Sequence, residues 1–96
     1  MTAYVIVEVD VTDPAAYEVY KPLAAAAVEA HGGRYIARGG ATELLEGGPE
    51  PARVVLLEFP DVATAHAWYH SAEYGEAKDA RAGAATGRFV IVEGAG

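Results

Sequence analysis

Apolar residues in this chain cluster in short runs separated by turn-forming residues, and the spacing inside each run sets the element it predicts. Ala3 to Val9, rich in Val and Ile with one tyrosine, predicts a strand. "VTDP" ends it, with Asp13 as a helix N-cap and Pro14 at the first helical position, where its missing N–H costs nothing. From there Tyr20, Leu23, Ala24, Ala27 and His31 recur on one helical face, with Glu18, Lys21 and Glu29 opposite. Pro22 falls inside this pattern and predicts a kink or a restart, and Gly32 follows as the residue after the C-cap. Arg34 to Arg38 predicts a second strand, with a continuation past Gly39-Gly40 through Leu44 and Leu45 left open, and "EGGPEP" is a loop. "RVVLLEF" predicts the third strand. Asp61 caps a helix carrying Val62, Ala65, Trp68, Tyr69 and Ala72 on one arc, with a further turn or two over roughly 73–82. "RFVIV" is the last strand.

The order strand, helix, strand, strand, helix, strand predicts an α+β, ferredoxin-like βαββαβ domain spanning residues 1–96, with an antiparallel sheet and its helices on one face. A sheet with one wet face alternates apolar and polar residues. Here Val5-Ile6-Val7, Val54-Val55-Leu56-Leu57 and Phe89-Val90-Ile91-Val92 are apolar at both parities. Two helices cover one face only, so the expected cover for the other is a second copy of the same sheet, giving a homodimeric α/β barrel.

Composition narrows the chemistry. A net charge of −7 argues against nucleic acid and anionic membranes, both of which need a basic footprint. No exposed aromatic strand motif for RNA stands out either. Without cysteine there is neither disulfide nor thiolate chemistry, and with Ser71 the only serine the usual nucleophiles are almost missing. The N-terminal apolar run is only a strand long and has no basic segment before it, so a cytoplasmic protein without a signal peptide or membrane span is the expectation.

The stretch "HGGRYIARGG", from His31 to Gly40, follows a helix C-terminus and matches no phosphate-binding loop, so its glycines read as a cap and a bend. His31 lies on the apolar stripe, as a helix-end cation or as a general acid/base. Arg34 and Arg38 read as sharing one strand face, where carboxylates such as Glu8 or Glu58 would pair with them. A polar cluster of Glu8, Arg38 and Glu58 inside the dimer interface follows from that reading. Glu58, on an apolar strand, is either ion-paired or a poised base. His66 and His70 are four apart with Glu73 three further on, a spacing that can hold zinc. The HExxH form is absent, however, and no metal or other cofactor is expected. Trp68, Tyr69 and Tyr74 pack on the sheet or wall a pocket.

"HGGRYIARGG", "ELLEGG", "RVVLLEFPD", "AHAWYHSAEYGEAKDAR" and the closing "VEG" together resemble a family of small bacterial proteins known as domain of unknown function 1330. The resemblance covers nearly the whole chain and implies a dimeric α+β barrel. Its superfamily includes cofactor-free monooxygenases, muconolactone isomerase-like enzymes, haem-dependent chlorite dismutases and plain ligand-binding or stress proteins, so it implies no single activity. One departure is the loop after Glu46, Gly47-Gly48-Pro49-Glu50 here, where the family often has an aromatic or basic residue. The resulting expectation is a homodimer binding a small organic molecule between sheet and helices, any catalysis being cofactor-free acid/base chemistry of the isomerase or monooxygenase kind. His31 and Glu58 are the proton-transfer candidates, Arg38 or Arg53 would stabilise an anion, both being ligand-binding candidates, and Trp68, Tyr69 and Tyr74 would line the ligand site. The competing expectation is a non-enzymatic structural or ligand-sensing dimerisation domain.

Overall fold

A computed structural model describes residues 1–96. Strand β1 (Ala3–Val11) leads into helix α1 (Pro14–Ala30), followed by β2 (Arg34–Arg38), β3 (Arg53–Phe59), α2 (Val62–Tyr69), α3 (Ala72–Arg81) and β4 (Ala85–Glu93). The four strands form one open sheet in the order β2-β3-β1-β4, antiparallel throughout. This is the α+β, ferredoxin-like arrangement. All the helices pack on one face.

Local chemistry accounts for the helix boundaries. The Asp13 carboxylate accepts from the Ala16 N–H at 3.1 Å, with Pro14 at the first helical position. α1 runs unbroken through Pro22, contrary to the expected kink or restart. Pro22 is exposed, so the carbonyl it leaves without a helical partner can be met by water. At the other end the Gly33 N–H donates to Val28 O (2.9 Å) and the Gly32 N–H to Glu29 O (3.1 Å), with Gly32 at φ +72°. That is a Schellman cap, and it is the role of the first glycine pair. Gly33 has a second reason to be glycine: a Cβ there would stand 2.5 Å from the Phe59 ring. The second helical segment is two helices. The Ser71 hydroxyl donates to Trp68 O (2.7 Å) and accepts from the Tyr74 N–H (3.1 Å), closing α2 and opening α3. Strand β2 stops at Arg38 and residues 39–52 form no strand, because Gly39 at φ +70° turns the chain off the sheet.

The helix-covered face carries Ala3, Val5, Val7, Val9, Val55, Leu57 and Phe59, all buried, under Tyr17, Tyr20, Ala24, Ala27, Val28, Ala65, Trp68, Tyr74 and Ala77 from the helices. Trp68 joins Phe59 (ring centroids 5.1 Å apart) to Tyr74 (4.5 Å) at its centre. The opposite face has no cover in the single chain. Its middle row is Ala37, Leu56, Ile6 and Val90 across β2, β3, β1 and β4, and Val54, Tyr4 and Val92 flank it. Ile6, Val90 and Val92 are 37%, 41% and 45% exposed, a contiguous apolar surface on a small chain. Two ion pairs border it at diagonal corners: Arg34 to Glu58 at 2.7 Å and Arg88 to Glu8 at 3.4 Å.

Candidate functional site

A register shift in β2 decides where the arginines go. Arg34 pairs with Glu58 and Tyr35 with Leu57, but Ala37 then stands opposite Leu56 and Arg38 opposite Val55. The extra residue, Ile36, puts Arg38 on the helix side with Val55 and Leu57, whereas strict alternation would leave it beside Arg34. The anticipated cluster of Glu8, Arg38 and Glu58 is therefore absent. Arg34 takes Glu58, Arg88 takes Glu8, and Arg38 faces the other way. Arg53, opposite the buried Val9, also points to the helix side. Its guanidinium lies against Gly39, where a Cβ would collide with it.

Arg38 and Arg53 line one small cavity together with Tyr17, Tyr20, Lys21 and Ala24 of α1, Tyr35 of β2, and Trp68 and Phe89. Its volume is about 30 Å³, room for a water or two. The Arg38 guanidinium stacks 4.3 Å from the Tyr35 ring centroid, and that of Arg53 lies 5.6 Å from Tyr17. Neither has a carboxylate within 4.0 Å, and Arg53 Nε is buried without a partner. Burial raises the Tyr35 phenol above its ordinary pKa, with Arg38 pulling the other way.

A larger groove of about 440 Å³ opens between α2 and the β1/β4 side of the sheet. Val5, Phe89 and Ile91 form its floor, Trp68 and Tyr69 its walls, and His66 and His70 its rim. The two imidazoles lie parallel, 6.1 Å between centroids. Glu73 is not turned to them, since its carboxylate is 3.4 Å from His31 Nε2. Trp68 and Phe89 line both the groove and the inner cavity. Trp68 is 2% exposed and its indole N–H has no acceptor, an omission that costs about 1–3 kcal/mol in a buried donor.

Tyr74 is fully buried and shares a 2.7 Å hydrogen bond with Tyr20 between hydroxyls, while Arg81 donates to Tyr74 Oη at 3.2 Å. Tyr74 thus braces the core behind the cavity. Burial raises both phenols above the ordinary value of 10.0, Tyr74 the further. Groups with raised folded pKa values contribute stability that is complete below pH 10 and is lost as pH rises beyond it. The fold is accordingly expected to loosen steeply above pH 10, with Tyr20 and Tyr74 ionising only as it opens. Ultraviolet titration of phenolate alongside circular dichroism measures this. Six phenolates appearing below the unfolding transition would contradict it.

His31 and Glu58 are not brought together. His31 caps α1 in the helix layer beside Glu73, and Glu58 lies on the uncovered face held by Arg34. Of the expected ligand-site residues, Arg38, Arg53 and Trp68 meet at the inner cavity, Tyr69 lies across the groove, and Tyr74 stands behind. Sequence reasoning missed Tyr17, Tyr35, Lys21 and Phe89. The spacing of Tyr17, Tyr20 and Ala24 on one helical face was the available signal for the first. The residues with polar side-chain groups at the inner cavity are Arg38, Arg53, Lys21, the tyrosines Tyr17, Tyr20 and Tyr35, and Trp68, with no carboxylate or imidazole among them.

A family model, "Domain of unknown function (DUF1330)", matches residues 2–95. No curated protein matches the sequence. Among solved structures, a protein of unknown function from Rhodopseudomonas palustris superposes with a TM-score of 0.79 at 20% identity, over 99% of this chain and 83% of that one. SnoaB, a cofactor-independent oxygenase from Streptomyces nogalater, gives 0.68 at 11% identity, over 99% and 94%. A dimeric protein of unknown function and ferredoxin-like fold from Bacteroides fragilis gives 0.57 at 15%, over 97% and 96%. At these identities the likeness is one of fold.

Proposed function

The chain belongs to the DUF1330 family, and within it we propose a homodimer, closed through the uncovered sheet face, that binds a small organic molecule on the helix side of each sheet. The observation that carries the ligand reading is the 440 Å³ groove walled by Trp68 and Tyr69, of a size usual for small-molecule sites. Pairing through the other face leaves this groove open to ligand. The dimeric description of the Bacteroides fragilis neighbour and the cofactor-independent chemistry of SnoaB support the reading at the level of fold.

Any catalysis here is acid/base chemistry without a cofactor. His66 and His70, on the groove rim, are the proton carriers. His31 and Glu58 do not act as a pair within one protomer; each would contribute alone.

Trp68 is the only tryptophan and its side chain walls the groove, so the ¹⁵N–¹H resonance of its indole reports on changes of packing there. A mixed library of small acids, amides and phenols is expected to contain compounds that shift this resonance together with the methyls of Val5 and Ile91, and Ile91→Phe, which fills the groove floor, is expected to abolish those shifts. If no compound moves it, the second reading takes over, a structural dimer without a ligand. The inner cavity's 30 Å³ favours that reading.

A further inference from the structure

Two backbone devices turn two arginines toward one place. The extra residue at Ile36 swings Arg38 to the helix side of the sheet, and Gly39, at φ +70°, leaves the space in which the Arg53 guanidinium lies. Both side chains then line the same cavity of about 30 Å³. Neither has a carboxylate within 4.0 Å, in a chain where acidic residues outnumber basic ones by 14 to 7. Lys21, the third cation in the lining, is held by Glu18 at 3.0 Å. Arg53 Nε is buried and has no acceptor. Like charges brought together repel, and a buried N–H without an acceptor adds a further cost. An anion seated between the two guanidiniums relieves both.

We propose that Arg38 and Arg53 hold a monatomic inorganic anion, chloride in ordinary salt solution. Size selects the ion: the cavity takes a body about as large as a water molecule, chloride is only slightly larger, and no core side chain has to turn for it. The mixed lining suits it as well. A spherical ion accepts from guanidinium and phenol donors on one side while resting on apolar neighbours such as Val55 and Leu57 on the other. Burial holds the Tyr35 phenol above its ordinary pKa, so that group stays a donor. Arg38 is exposed, which gives the ion a path from solvent. Arg38 is the last residue of β2 and Arg53 the first of β3, so the ion clasps the two ends of the loop over residues 39–52. This role is independent of whatever the groove holds.

Chloride exchanging onto a protein site broadens its ³⁵Cl resonance, and this broadening is the measurement. Wild-type protein is expected to broaden it. Bromide, a halide of similar size, is expected to reverse the effect, and gluconate, too large for the cavity, is not. Arg38→Gln and Arg53→Gln are each expected to weaken binding at least about ten-fold, the loss that follows from removing a charge-assisted hydrogen bond. Arg88→Gln removes a cation from the opposite face of the sheet and is expected to change nothing. Circular dichroism checks that each variant is folded. In the wild type, exchanging gluconate for chloride at constant ionic strength is expected to raise the melting temperature until the site saturates. Broadening that survives both Gln substitutions, that gluconate reverses as well as bromide does, or that is absent from the wild type overturns the proposal. So does a melting temperature indifferent to chloride.

Discussion

Ile6→Glu is expected to convert the protein from dimer to monomer. Ile6 stands at the centre of the uncovered face, between Leu56 on β3 and Val90 on β4, and is 37% exposed in the single chain. In a two-fold pairing of two such faces every substitution occurs twice and the two copies come close together. A carboxylate buried there has no cation in its row, because Arg34 and Arg88 sit at the diagonal corners and are already taken by Glu58 and Glu8. An unpaired buried charge costs about 3 kcal/mol or more, so two copies weaken the dimer by roughly four orders of magnitude. The helix-side core is untouched, and the monomer is expected to keep its helical circular dichroism. Sedimentation velocity of Ile6→Glu beside Ile6→Val separates the effect of charge from that of shape. A dimer of undiminished affinity in Ile6→Glu would mean that the sheet face is not the contact.

The largest stability loss is expected for Trp68→Ala. Trp68 is 2% exposed, packs against Phe59 and Tyr74, and touches both the cavity and the groove. Truncating a large buried aromatic costs about 3–5 kcal/mol, a large part of the total stability of a domain this size. The melting temperature is expected to fall by roughly 15–30 °C. Trp68→Phe is the informative companion. It keeps most of the ring packing and removes an N–H that has no acceptor, so it is expected to cost less than half as much. Urea unfolding of the two variants measures both values. A loss below about 1 kcal/mol for Trp68→Ala would show that the indole is not the keystone of the core.

Much of the scaffold was legible because it rests on local chemistry. Asp13, Pro14, Asp61 and the two-sided apolar strands point to the elements they form, and Gly32 to the end of α1. What escaped was decided by backbone register and by contacts far apart in sequence. Strict period-two reasoning puts Arg34 and Arg38 on one face, and the single extra residue at Ile36 reverses that. Nothing in "RYIAR" marks the bulge, so the cation pair of the inner cavity was visible only as two separate candidates. Ser71 was a readable cap that passed as mid-helix, and its break turns Tyr74 into the core. The Tyr20–Tyr74 contact spans 54 residues and left no mark on either local pattern. Glu58 was rightly suspected of pairing, and Arg34 is its partner.

Native mass spectrometry of the wild-type chain at low micromolar concentration tests most directly whether a second copy covers the open sheet. A folded species at twice the 10.0 kDa chain mass is the expected result. A folded species at 10.0 kDa alone would contradict it, leaving Ile6, Val90 and Val92 exposed to water in the working protein.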